Sequence, residues 1–233
     1  MTPRNSLVVP VYNEAGNIAE VVGRAAAVLS ALGEPFEIIL VNDASTDSTG
    51  AEIAAAAGRL PACRELRLPA HAGQAGALLA GLRDARGERI LTMDGDLQND
   101  PADFPALLAL LEAGPFDLVC GWRVGRRDPP LRRAMSRLAN CVRRAVLADG
   151  VHDAGCQLRA MRREVLAAIR PMALLQAFIP ALAVAAGLRV GEVPVRHHPR
   201  IHGRSKYGLA SLWWRPAFEM LRLRLELWRR PRP

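Results

Sequence analysis

Asp94 and Asp96, two carboxylates one residue apart with Gly95 between them, are the residues of this sequence best suited to chemistry. Hard divalent cations such as Mg2+ or Mn2+ prefer oxygen ligands and are often shared between protein carboxylates and substrate phosphates. An Asp-Gly turn also closes a strand with no ligand at all, and a short motif alone does not separate the two readings. The surroundings of the motif weigh in favour of a site.

The apolar run at 90–93 reads as a buried strand that ends abruptly at Asp94. Other β-rich runs lie at 6–11, 36–41, 117–121 and 191–196, with a weak third strand at 66–68. Between them, 15–32, about 49–58, 73–86, 101–114 and 131–147 have helical composition. Gly33 stops the first helix, residues 45–49 offer N-caps for the second, and Pro101 falls early in its own. Residues 153–159 form a Gly-containing loop or short strand. The apolar stretch at 173–186 is broken by Gln176 and Pro180 and falls short of the roughly 20 residues that cross a bilayer. Strand and helix in alternation predict a doubly wound α/β domain, in which ligands collect at the carboxyl ends of the strands. Tyr12, Glu14, Asp43, Asp94 and Asp96 all fall just past such an end.

Composition bounds the function. Half of the 233 residues are hydrophobic but only 5% are aromatic, so the core must be aliphatic. Cys63, Cys120, Cys141 and Cys156 are widely spaced and form no C-x-x-C pair, which predicts buried thiols in a reducing compartment. No basic segment followed by an apolar one opens the chain, so no signal peptide is expected. Up to Gly121 there are 8 Arg against 16 acidic residues, a net of −8; from Trp122 on there are 23 basic residues against 7 acidic, a net of +16. An acidic front and a basic back suit a metal-binding part joined to a part that faces anions. Nucleic acid is a poor candidate for that anion, because the arginines are not interleaved with base-stacking aromatics. Lys206 is the single lysine among 31 basic residues, and a compact ammonium suits a point contact with phosphate.

The ordered motifs Val-Pro-Val-Tyr-Asn-Glu (9–14), Val-Asn-Asp-Ala-Ser-Thr-Asp (41–47), Met-Asp-Gly-Asp-Leu-Gln (93–98), Gly-Trp-Arg (121–123), Asp-Ala-Gly-Cys-Gln-Leu-Arg (153–159) and Arg-Ile-His-Gly-Arg-Ser-Lys (200–206) resemble family 2 glycosyltransferases. Within that family the likeness is to dolichyl- and undecaprenyl-phosphate sugar transferases. The resemblance implies a GT-A fold, a single Rossmann-like, mostly parallel sheet flanked by helices. It implies that Pro10, Tyr12 and Glu14 line a nucleotide pocket and that Val41 and Asp43 hold base and ribose. Asp94, Gly95 and Asp96 would meet the sugar diphosphate, with Asp94, Asp96 and Gln98 around Mg2+ or Mn2+. Arg123, Arg200 and Lys206 would hold phosphates. The partners implied are a nucleotide diphosphate sugar and a polyprenyl phosphate, with transfer inverting in one displacement.

Charge arithmetic agrees. A nucleotide diphosphate brings about two negative charges, and a phosphomonoester acceptor adds about 1.5 to 2 more. One divalent ion offsets the first, and Arg123, Arg200, Arg204 and Lys206 are available for the second. A hydroxyl acceptor, the alternative, would require a general base, whereas a phosphate is already ionised near neutral pH. Asp153, counted with Asp96 and Arg123 as a catalytic candidate, is therefore expected to orient the acceptor or metal, or to partner Arg159, instead of acting as a strong base.

Two departures stand out. Many members of the family carry an acidic residue in a Gln-x-Glu arrangement where this chain has Phe178, so that role is not carried over. Many bacterial members also continue into two transmembrane helices beyond the equivalent of Pro233. In this chain residues 209–233, following a catalytic domain over 1–208, predict a basic amphipathic helix with Trp213, Trp214 and Trp228 and with Pro216 near its start. It would either lie on a membrane surface, on the cytoplasmic face, or pack on the domain.

Overall fold

The structure is a computed structural model and describes residues 2–124, 130–198 and 214–229. Seven strands, β1 (Asn5–Val11), β2 (Phe36–Asn42), β3 (Cys63–Arg67), β4 (Arg89–Thr92), β5 (Leu118–Arg123), β6 (Arg159–Arg162) and β7 (Val190–Val195), form one sheet. Their order is β3-β2-β1-β4-β6-β5-β7. All neighbours run parallel except β6, which is antiparallel to both β4 and β5. Helices α1 (Ile18–Ala31), α2 (Thr49–Arg59), α3 (Gly73–Asp84), α4 (Phe104–Ala113), α5 (Pro130–Leu147), α6 (Leu175–Ala185) and α7 (Trp214–Arg229) complete the chain.

Alternation along the strands feeds an aliphatic core on each side of the sheet. Leu7, Val9, Ile38, Leu40 and Leu91 face one side with α1 and α4, while Val8, Ile39, Val41 and Ile90 face the other with α3 and α6. Strands buried on both faces read as continuous apolar runs, which is why β1, β2 and β4 were legible. Pro10 is tolerated inside central β1 because pairing with β4 ends at Val8, so no ladder donor is needed on that side.

Two strands differ from expectation. β3 begins at Cys63, earlier than the weak strand at 66–68. It is an edge strand, and its Arg64 pairs with Glu37 and Asp84, so charge disguises the pattern. β6 occupies the end of what reads as a loop; its four residues include two arginines, one of them buried Arg159. Cys63, Cys120 and Cys156 are buried as expected, but Cys141 is exposed on α5.

α7 starts at Trp214, so Pro216 lies in its first turn, where a missing N–H costs nothing. Met220 and Leu223 are buried against the domain, and Arg170 pairs with Glu226 at 2.7 Å. Phe218, Leu221 and Leu225 stay 61%, 55% and 57% exposed, giving the helix a second, outward apolar stripe.

Candidate active site

The carboxyl ends of β1, β2, β3 and β4 form one rim of a cleft, and the segments after them are tied to one another. Asn13 donates its N–H to Ser45 Oγ at 3.0 Å and its Oδ1 accepts from the Thr46 N–H at 2.8 Å. The Glu14 N–H bonds Thr49 Oγ1 at 2.9 Å, and both Glu52 oxygens accept from the Gly16 N–H. Three turns of this rim carry a non-glycine residue in the left-handed region: Asn13 (φ 50°), Ala44 (φ 56°) and Leu97 (φ 62°). Such conformations cost about 1–3 kcal/mol each and gather at functional sites.

Asp43 is buried. Its Oδ1 accepts from the Ala72 N–H at 2.7 Å, and its Oδ2 lies 2.9 Å from His71 Nδ1. The His71 ring packs on Tyr12 with centroids 4.1 Å apart. Tyr12 and Asp43 thus meet through His71, while Glu14 accepts from Asn17 Nδ2 at 2.8 Å. Pro10 sits on β1 beside them, and Gly95 comes close enough that a Cβ there would lie 3.5 Å from its carbonyl oxygen. The Val41 side chain is fully buried against Gly81 of α3.

Asp94 and Asp96 follow β4. Gly95 is required between them, because a Cβ there would lie 2.6 Å from Val11 Cγ1. Gln74 Nε2 donates to Asp94 Oδ1 at 2.8 Å, and Asp96 Oδ1 accepts from the Gln98 N–H at 3.2 Å. Burial of its surroundings, then the like charge of Asp96, push the half-buried Asp94 carboxyl up to about 7, against the pull of Arg123, Gln74 and Arg159. A hard cation between the two carboxylates would relieve that repulsion, and the two-carboxylate donor set fits one that also takes phosphate oxygens. No group of three His, Cys, Asp or Glu able to hold a metal occurs among the described residues. Gln98 faces a different neighbour: its carbonyl accepts from the His198 N–H at 3.0 Å and its Nε2 lies 3.5 Å from the His198 carbonyl. His198 is further held by Asp100 at 3.2 Å. The segment leading to Arg200, Arg204 and Lys206 is thereby pinned to the end of the acidic motif; those three residues lie outside the described residues.

The opposite rim belongs to β5 and to the loop entering β6. Arg123 Nε and Nη2 donate to the two oxygens of Asp153 at 2.7 and 2.8 Å. Burial works against the Arg123 charge, but the Asp153 bonds outweigh it and raise its pKa above the ordinary value. A Cβ on Gly155 would lie 2.7 Å from Arg123 Nη2 and would push the guanidinium aside. Arg159, offered above as a partner for Asp153, bonds the carbonyls of Ala154 and Gln176 instead. Phe178 is a core residue.

His71, Gln74 and Asn99, whose Oδ1 accepts from the Asp94 N–H at 3.4 Å, had not been singled out. The signal for His71 and Gln74 was their position after β3, the strand whose charged edge concealed it.

Comparison with known proteins gives the family and the fold. The model of the family described as "Glycosyl transferase family 2" matches residues 6–170. A dodecaprenyl-phosphate galacturonate synthase of Rhizobium johnstonii is 41% identical over 88% of this chain and 62% of its own length. An undecaprenyl-phosphate 4-deoxy-4-formamido-L-arabinose transferase of Edwardsiella ictaluri is 38% identical over 89% of this chain and 64% of its own. The chain thus spans less than two thirds of these relatives. The crystal structure of glucosyl-3-phosphoglycerate synthase from Mycobacterium tuberculosis, in complex with Mn2+, UDP and glucosyl-3-phosphoglycerate, superposes with a TM-score of 0.72. It shares 20% identity over 95% of this chain and 80% of that one, a likeness of fold. The same enzyme with Mn2+ and UDP-glucose gives 0.72 over 95% and 79%. The mixed seven-stranded sheet flanked by helices is a GT-A fold, and the chain belongs to glycosyl transferase family 2.

Proposed function

We propose that the chain transfers a sugar from a nucleotide diphosphate sugar, UDP- or GDP-linked, to a polyprenyl phosphate, inverting the anomeric centre in one in-line displacement. The observation that carries this reading is the fork between Arg123 and Asp153 across the cleft from the Asp94–Asp96 motif. Both oxygens of Asp153 accept from the guanidinium, an arrangement that orients a cation for an anion. A hydroxyl acceptor would require a base at that rim; a phosphate, with a second pKa near 6, needs none. The names of the relatives, which print polyprenyl phosphates, support the same class of acceptor.

Tyr12, Glu14 and Asp43 would bind the nucleoside, with His71 extending the aromatic surface. Asp94 and Asp96 would hold Mg2+ or Mn2+, with Gln98 fixing the turn through its backbone; the ion would neutralise the leaving diphosphate. Arg123 would take the acceptor phosphate, joined by Arg200, Arg204 and Lys206. Incubating the purified chain with Mn2+, undecaprenyl phosphate and a panel of UDP- and GDP-sugars tests this by mass spectrometry of the lipid. One glycosyl phospholipid is expected; transfer only to hydroxyl acceptors would overturn the reading.

The catalytic domain would work at a membrane surface. No helix of the described residues is long and apolar enough to cross a membrane. The outward Phe218, Leu221 and Leu225, flanked by exposed Arg222 and Arg224, support contact with an anionic lipid interface on the cytoplasmic face. Flotation with phosphatidylglycerol vesicles should be lost when those three apolar residues become serine.

A further inference from the structure

Pro180 lies in the interior of α6, where its ring removes one helical donor and crowds the carbonyl four residues back. That carbonyl belongs to Gln176, and it is not left idle. Arg159 Nη2 reaches it at 2.5 Å and Gln157 Nε2 at 3.4 Å. The same two nitrogens also bond consecutive carbonyls of the loop before β6: Arg159 Nη2 to Ala154 at 3.0 Å, and Gln157 Nε2 to Gly155 at 3.4 Å. Ala154 follows Asp153, whose carboxylate grips Arg123, and Gly155 lies against the Arg123 guanidinium. Arg159 is 0% exposed, and its Nε and Nη1 find no hydrogen-bond partner. A buried guanidinium so poorly satisfied is costly unless it is retained for another purpose.

We propose that Pro180 is a positioning residue: the carbonyl it frees on Gln176 anchors Arg159 and Gln157, which hold the 153–155 backbone so that Asp153 presents Arg123 to the acceptor. The assignment of Arg123 to the acceptor phosphate rests on the function proposed above; the mechanical linkage does not. Replacing Pro180 with alanine supplies the missing N–H, which competes for the Gln176 carbonyl. α6 then gains a regular hydrogen bond while the loop loses its anchor.

The test compares hydrogen exchange at the Arg123 side-chain Nε–H, followed by 15N NMR of the full chain, in wild type, Pro180→Ala and Gln157→Leu. Exchange should quicken about tenfold in Pro180→Ala and about threefold in Gln157→Leu, with the unfolding midpoint of Pro180→Ala within about 4 °C of wild type. In transfer assays, KM for undecaprenyl phosphate should rise about fivefold in Pro180→Ala while nucleotide affinity stays unchanged. Unaltered exchange in both variants, or an equal loss of nucleotide affinity, would overturn the proposal. If wild type transfers nothing to the lipid, the functional reading fails, while the exchange data still decide the linkage. If Pro180→Ala does not fold, Pro180→Val, which restores the same N–H with more bulk, takes its place, and unaltered exchange in it overturns the proposal.

Discussion

The two rims of the cleft are built by different physics. The rim from β1 to β4 is held by backbone N–H groups donating to side chains of neighbouring turns, the Glu52 and Asp43 carboxylates among them, and carries three residues in left-handed backbone. The opposite rim is held by charge: Arg123 with Asp153, and Arg159 on two carbonyls. Each solution suits the ligand proposed for it. A nucleoside needs shape and donors from a stiff frame, whereas a second anion needs cations that stay charged when water is excluded. Buried pairs of this kind contribute orientation more than stability.

Four substitutions sharpen or break that contrast. Asp96→Ala should cost about a thousandfold in kcat/KM, the scale of losing a charge that stabilises a leaving group. Asp153→Asn keeps the oxygen facing Arg123 and should cost only about 10- to 100-fold; a loss as deep as that of Asp96→Ala would make Asp153 a base and erase the difference between the rims. Asp94→Asn should stabilise the ligand-free chain by about 1–2 kcal/mol at pH 8 while abolishing nucleotide binding with Mn2+. The folded state raises the Asp94 pKa from 3.8 to about 7, so it holds more protons than the unfolded chain across that window. Stability therefore falls as pH rises from 4 to 7, and the gain from Asp94→Asn should vanish near pH 4 in thermal melts. His71→Ala removes one ring from an exposed stack and should raise the nucleotide KM about threefold. An effect above about 30-fold would show that the His71–Asp43 contact, not stacking, fixes the nucleoside.

Much of the nucleotide rim was legible because it follows local rules. Apolar runs gave β1, β2 and β4, and polar residues at their ends gave Tyr12, Glu14, Asp43, Asp94 and Asp96. The Val41 side chain faces α3 because the pleat decides which member of a motif meets a helix. The opposite rim was less legible. β6 is four residues of antiparallel strand with an arginine buried at its start, and no periodicity rule anticipates that. That Asp153 pairs with Arg123 and not with Arg159 depends on contacts 30 residues apart. Pro180 and Gln176 read as blemishes in an apolar helix; only the fold shows that the first explains how the second is used.

β6 runs against its neighbours, so what it brings to the mouth of the cleft is its lead-in, not its exit. β1, β2 and β3 are each followed by a helix, α1, α2 and α3, which resists change. The reversed strand commits only a short coil anchored at 157–159. Remodelling of 153–156 can therefore retune what faces the Asp94–Asp96 motif while the sheet and the β1–β4 rim stay as they are.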